Sequence, residues 1–287
     1  MVLAAFLLVV LLGGTNQVAV RFSNRELPPF FGAGVRFLAA ALLLQALAWW
    51  QGVEVPRGRA LVAALLFGLI NFGVSYALAY WALLEAPAAL ASTTLSLVPL
   101  ITLLIAVGIG LERFRWTGVA GGLVATLGIV IVFADQVRAV SPPTIAALLG
   151  TAVAVASSTI VAKRMPGSHP IATNAVAMLP GSALLFALSF VARERVEAPH
   201  LAATWLALAY LAVCSVKLFA GFLFVVKRWT ASASSYATIL FPIVTIAIAA
   251  VLAAEAVTLP FVVGTAFVMV GVYVGAIASP RRIPAAS

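Results

Sequence analysis

Residues 89–112 read ALASTTLSLVPLITLLIAVGIGLE, and residues 232–255 read SASSYATILFPIVTIAIAAVLAAE. Each stretch opens on small and hydroxyl residues, turns apolar, carries one proline near its middle and closes on a glutamate. At an offset of 143 residues, Pro99 falls on Pro242, Thr102 on Thr245 and Glu112 on Glu255. The same offset, with no gap, brings Gly121 onto Gly264 and Gly128 onto Gly271. The offset is half of the 287-residue chain. The sequence is therefore read as two tandem halves, residues 1–140 and 141–287.

Composition says what medium surrounds them. The chain is 64% hydrophobic and 9% charged, with a mean hydropathy of +1.18. A soluble domain carries about 25% charged residues, so the missing polar surface is lipid-facing surface. A spanning helix needs about 20 apolar residues. Ten such runs follow one another, at 2–20, 29–50, 60–84, 87–108, 116–134, 144–162, 170–192, 201–226, 231–253 and 256–278. Five runs per half is an odd number, so the second half enters the membrane from the opposite side. The expected fold is an all-α integral membrane protein of ten transmembrane helices in two inverted five-helix repeats, an arrangement typical of secondary transporters.

The chain holds 17 Lys and Arg against 8 Asp and Glu, a net charge of +9. Such an excess fits either nucleic acid or cytoplasmic loops. Its distribution decides. The basic residues sit in pairs between apolar runs: Arg57/Arg59, Arg113/Arg115, Lys163/Arg164, Lys227/Arg228 and Arg281/Arg282. With the N-terminus inside, all five pairs are inner, while the outer loops hold only Arg21, Arg25, Arg138, Arg193 and Arg195. Both termini are expected in the cytoplasm, and no nucleic-acid partner is implied. Trp49, Trp50, Trp116 and Trp229 near run ends suit an interfacial belt. The first run lacks a basic leader and is interrupted by Thr15-Asn16-Gln17, so it reads as a retained helix rather than a cleaved signal. The lone cysteine, Cys214, excludes an intrachain disulfide and a thiolate metal cluster.

Polar atoms facing lipid cost several kcal/mol, so polar residues in mid-run are candidates for a substrate path. The third run offers Asn71, Ser75, Tyr76, Tyr80 and Trp81, amide and hydroxyl groups beside aromatic rings that suit an amphipathic ligand. Asn16 in the first run and Tyr236 in the ninth are added to that lining. Lys217 lies about nine residues, or 14 Å, from either end of its run. No acid lies mid-run to pair with it, so it is expected to receive an anionic substrate group. Arg36, a third of the way into the second run, reads as a snorkelling or gating charge. Pro99 and Pro242 are candidate hinges, as prolines kink helices; Pro180 lies inside the seventh run. Glu85, Glu112 and Glu255 read as charges at helix junctions. Gly118/Gly122 and Gly271/Gly275 are GxxxG pairs for close packing within one bundle, which favours a monomer over a homodimer.

The residues of the duplicated stretch, with the first-run segment GGTNQVAVRF (13–22) and Arg36-Phe37, resemble the duplicated EamA domain of the drug/metabolite transporter superfamily. Within it the chain looks closest to YddG-type exporters of aromatic and other amino acids. The resemblance implies a basket of ten helices around a central cavity, alternating access, an inner-membrane location and a small-molecule substrate, with no cofactor or metal. Arg36 and the first-run signature have no counterpart at matching positions of the sixth and seventh runs. Other metabolites or amphipathic drugs are alternative cargoes. An enzyme would need a nucleophile with its base or a cluster of acids, and the only aspartate, Asp135, lies in a loop. A channel or scaffold leaves the equal, inverted halves without a role.

Overall fold

The computed structural model describes residues 2–111, 116–136, 140–235, 237–252 and 258–276. The described residues are helical, and the helices follow the apolar runs. They are α1 (Val2–Ser23), α2 (Pro29–Trp50), α3 (Arg59–Ala82), α4 (Ala88–Leu95), α5 (Val98–Gly108) and α6 (Trp116–Gln136), then α7 (Pro142–Arg164), α8 (Pro170–Val191), α9 (Ala202–Arg228), α10 (Ala231–Ser235), α11 (Ala237–Leu252) and α12 (Leu259–Ala276). Among the described residues, seven helical stretches are long and apolar enough to cross a membrane; α11 is shorter and apolar too. Prolines begin several of them: Pro29, Pro99, Pro142 and Pro170 lie in first turns, where a missing N–H costs nothing.

The distribution of polarity is inside-out relative to a soluble protein. Large apolar side chains such as Leu7, Leu42, Leu66, Val153, Leu206 and Val213 are exposed on the outer surface. Asn16, Gln17, Arg36, Asn71, Thr94, Ser158 and Asn174 are buried. This chain is an all-α membrane protein: its exterior dissolves in acyl chains, and its polar groups find partners inside.

Helices pair as α1 with α9 and α11, α7 with α3 and α5, α2 with α8 and α9, α3 with α8, and α6 with α12. The second contact layer pairs α4 with α11 and α5 with α10. Close approach is secured by glycines. A Cβ on Gly68 would stand 1.8 Å from the Ala177 carbonyl oxygen, and one on Gly271 would stand 2.3 Å from the Ala125 amide nitrogen. Gly128 likewise meets Gly264. Backbone therefore lies on backbone at the α3–α8 and α6–α12 crossings, and Gly271 serves packing within the bundle.

Proline shapes the two halves differently. Pro99 is not inside a continuous helix: the fourth run breaks after Leu95, and Pro99 starts α5. Pro242 lies inside α11 and cannot hydrogen-bond the Thr238 carbonyl four residues back. That carbonyl instead accepts the Ser96 hydroxyl at 3.2 Å, so the acceptor that Pro242 leaves free is satisfied from the break between α4 and α5.

Helix ends are tied by charges from other segments. At one end, Glu26 accepts the His200 and Leu201 amides, both at 3.0 Å, and the Thr204 hydroxyl at 2.6 Å, at the start of α9. Glu194 accepts the Phe30 and Phe31 amides at the start of α2, at 3.0 and 2.9 Å. Glu85 accepts the Ser141 amide at 2.7 Å and the Ser141 and Thr144 hydroxyls at the start of α7. At the opposite end, Lys163 donates to the Val226 and Trp229 carbonyls and Lys227 to Met165. Acids thus stand at N-termini and lysines at C-termini, as the helix dipole favours. Glu85 closes the third run as expected; Glu112 and Glu255 lie outside the described residues.

Two outcomes follow. Gly68→Ala should destabilise the protein by about 1–3 kcal/mol, read as a lower melting temperature in detergent. Gly108→Ala, where an added carbon meets nothing within 4 Å, should leave it unchanged. Second, the Thr204 hydroxyl beside Glu26 and the Ser141 hydroxyl beside Glu85 hold both carboxyls below their usual value of 4.5. A lowered folded-state pKa gives stability that is present above the unfolded value and lost as pH falls through the folded one. Melting temperature should therefore drop below about pH 4.5, and Glu26→Gln should melt lower at pH 7 and lose less on acidification.

Candidate functional site

The chemistry concentrates where α3 changes its winding. Residues Leu69–Val74 form a π-turn, with the Ser75 amide bonded to the Ile70 carbonyl. Wide turns of this kind often mark functional sites, because they push one residue out of the regular register. Opposite the turn lies α8, where Gly181 would carry a Cβ only 2.5 Å from the Phe72 Cβ. The crossing therefore fixes the turn, and the turn presents Asn71 to the interior.

A cavity of about 80 Å³ opens there. Since about 10–15 Å³ by this measure admits one water, it has room for a small ligand. Its polar lining comprises Asn16 and Gln17 from α1, Asn71, Ser75 and Tyr76 from α3, Thr151 from α7 and Thr238 from α11. Apolar groups are interleaved with these, namely Val9, Leu218, Phe219, Phe222 and Phe241. Gly13 makes room for Phe241, whose ring would lie 2.2 Å from any Cβ there. Behind the cavity the aromatic rings continue. Tyr76 and Phe219 lie 6.0 Å apart between centroids, Phe72 and Phe219 4.6 Å, and Phe37 and Tyr76 4.6 Å, all edge-to-face.

Asn71 is 4% exposed and incompletely paired. Ser158 Oγ lies 2.9 Å from its Oδ1 and 2.8 Å from the Val155 carbonyl. One hydroxyl proton serves one acceptor. As drawn, the Asn71 Nδ2 has no partner among the described residues. With the amide turned over, Nδ2 would donate to Ser158 and the carbonyl oxygen would be the atom left over. In both orientations one polar end of Asn71 stays unpaired among the described residues, a cost of about 1–3 kcal/mol.

Behind this lining is Arg36, the largest fully buried side chain among the described residues, at 0% exposure. Its Nη2 donates to Asn16 Oδ1 at 2.6 Å, its Nε to Ser215 Oγ at 2.8 Å and its Nη1 to the Tyr80 hydroxyl at 3.3 Å. Its Cζ stands 4.8 Å from the Phe37 ring centroid and 5.0 Å from that of Tyr76, which adds cation–π attraction. No carboxylate is among these partners.

The sequence expectations are redistributed accordingly. Asn16, Asn71, Ser75 and Tyr76 come together on the cavity wall. Tyr80 is buried one turn further on and binds Arg36. Trp81 is exposed at 38% and lies outside the lining. Lys217 is exposed on the outer face of α9. That position corrects the expectation that Lys217 faces the path: Leu218, Phe219 and Phe222 turn inward, and helical spacing of 100° per residue sends Lys217 nearly opposite. Arg36 neither snorkels nor reaches the surface, which corrects the first of its two expected roles. Tyr236 lies outside the described residues. Ser215, Thr151, Phe219, Phe222 and Phe241 were not foreseen. Ser215 sits two residues from the more conspicuous Lys217, and apolar rings in an apolar run give no signal of which way they face.

The model of a family described as the EamA-like transporter family matches residues 1–134 and again residues 142–276. An uncharacterized inner membrane transporter of Escherichia coli (strain K12), YedA, is 29% identical over 239 residues, spanning 82% of this chain and 77% of that one. An uncharacterized transporter of Archaeoglobus fulgidus is 25% identical over 284 residues, spanning 93% and 95%. A protein crystal structure superposes with a TM-score of 0.71 at 20% identity, covering 98% of this chain and 99% of the other, a likeness of fold alone.

Proposed function

We propose that this chain, which belongs to the EamA-like transporter family, exports small amphipathic metabolites across the inner membrane by alternating access, amino acids with aromatic side chains among them. Family membership supports a membrane transporter over an enzyme. The finer reading rests chiefly on one observation: a cavity lined by amides and hydroxyls together with phenylalanine rings. A zwitterionic head and an apolar side chain both find partners in such a lining. Asn71, which lines the cavity with one amide end unpaired among the described residues, is the polar group we assign to the guest.

Two inverted halves, residues 1–140 and 141–287, supply the movement in this reading. Exchanging the halves turns the α1–α9 pairing into α7–α3, α1–α11 into α7–α5, and α2–α9 into α8–α3, and each of these pairs is present. The α2–α8 and α6–α12 pairings map onto themselves. Such exchange suits ten spans, both termini in the cytoplasm and rocking of one half against the other. The break before Pro99 and the kink at Pro242 are the hinges we assign. Glycine faces spent between α6 and α12 favour a monomer. Among the described residues no carboxylate lines the cavity, which favours facilitated export over proton exchange.

Purified protein in liposomes loaded with radiolabelled phenylalanine should give saturable efflux, competed by tryptophan and insensitive to a pH gradient. Asn71→Ala should raise KM about tenfold, the weight of one buried hydrogen bond. Absence of flux for every amino acid tried would remove the substrate assignment and leave other metabolites and amphipathic drugs as cargo.

A further inference from the structure

We infer that Arg36 is the residue that receives the carboxylate of the transported molecule, and that doing so releases a tie between α1, α3 and α9. The inference rests on the transport reading above and names the chemical class that this site selects, an organic monocarboxylate.

A guanidinium that is 0% exposed in a lipid-embedded bundle is costly to hold unless its charge is met. Its partners Asn16, Ser215 and Tyr80 are neutral. They satisfy donors without cancelling charge. Of the acids on the described chain, Glu26, Glu85 and Glu194 are engaged at helix ends, and Glu54 and Glu197 are exposed in loops. The site therefore holds a positive charge with no internal counter-ion among the described residues, and a monoanionic ligand would complete it.

The geometry makes the exchange feasible. Asn16 binds Arg36 and lines the cavity, and Tyr76 stands against the guanidinium and lines it as well. A carboxylate in the cavity is thus one side chain from Nη2. Asn16 Oδ1 satisfies a donor without bringing charge, whereas a carboxylate supplies the counter-charge that a buried cation lacks, and the planar fork offers it two parallel donors, so a carboxylate outcompetes Asn16. Losing the bond to Asn16 uncouples α1 from Arg36, and re-aiming the fork strains the bond from Nε to Ser215 on α9. Occupancy would then loosen a contact between the two ends of the chain only when the correct headgroup arrives.

The test compares L-phenylalanine with L-phenylalaninamide, which keeps ring and ammonium and lacks the carboxylate, in liposome flux. Wild type should prefer phenylalanine at least twentyfold. Arg36→Gln should abolish that preference, mainly through loss of phenylalanine flux, and Arg36→Lys should cut it at least fivefold, because a point charge cannot form the bidentate pair. Lys217→Ala, which removes a positive charge from the outer face of α9, should keep the preference. If Arg36→Gln does not fold, the Arg36→Lys result decides alone: an undiminished preference overturns the inference. A loss of preference in Lys217→Ala overturns it as well, as does wild-type flux that requires chloride, which would make a free halide the counter-ion. Phenylalanine flux in wild type with preference intact in both Arg36 variants sinks this inference while sparing the transport reading; flux of neither compound in wild type sinks both.

Discussion

A single guanidinium, buried in an apolar bundle, organises the interior of this protein. Arg36 cannot shed its proton and cannot be left bare in a low dielectric. The fold therefore brings Asn16 from α1, Tyr80 from α3 and Ser215 from α9 to it. These helices surround the cavity, and Asn16 belongs to both the guanidinium's shell and the cavity wall. The polar residues of the core are therefore a network with a centre rather than scattered packing groups. The aromatic residues Phe37 and Tyr76 complete that centre by offering ring faces to the charge.

Holding a network of this kind requires helices that do not slide. In lipid there is little hydrophobic drive between helices, and packing supplies the difference. The closest approaches here run through glycine, at Gly68 against Ala177, Gly181 against Phe72 and Gly271 against Ala125. The first two flank the π-turn of α3, so the same contact that fixes α3 on α8 also turns Asn71 toward the cavity. Packing precision and site geometry are one feature at this crossing. Around it, the acid-capped N-termini and lysine-capped C-termini tie segments distant in sequence. Being near the surface, those ties are also the parts most open to pH and salt.

Much of this was legible in the sequence. Ten apolar runs, basic pairs between them and an offset carrying Pro99 onto Pro242 and Gly128 onto Gly271 each follow from local composition. A bilayer imposes a length and a polarity on every crossing segment, and such constraints act residue by residue. For the same reason Asn16, Asn71, Ser75 and Tyr76 could be chosen as cavity residues: a polar atom in an apolar run must face inward somewhere.

What the sequence by itself determined is the class of protein, its helical runs and the short roster of polar groups that had to be buried. What only the tertiary structure decided is which of them meet. Lys217 and Arg36 are equally anomalous charges in apolar runs, and helical rotation alone puts the first on the outer face and the second at 0% exposure beside Asn16, Tyr80 and Ser215. The rings of Phe219, Phe222 and Phe241 carry no mark distinguishing them from lipid-facing ones, since an apolar side chain is at home on either side of a membrane helix. Facing is set by how helices pack against one another. That packing is a long-range property, and a pattern of neighbours along the chain does not contain it.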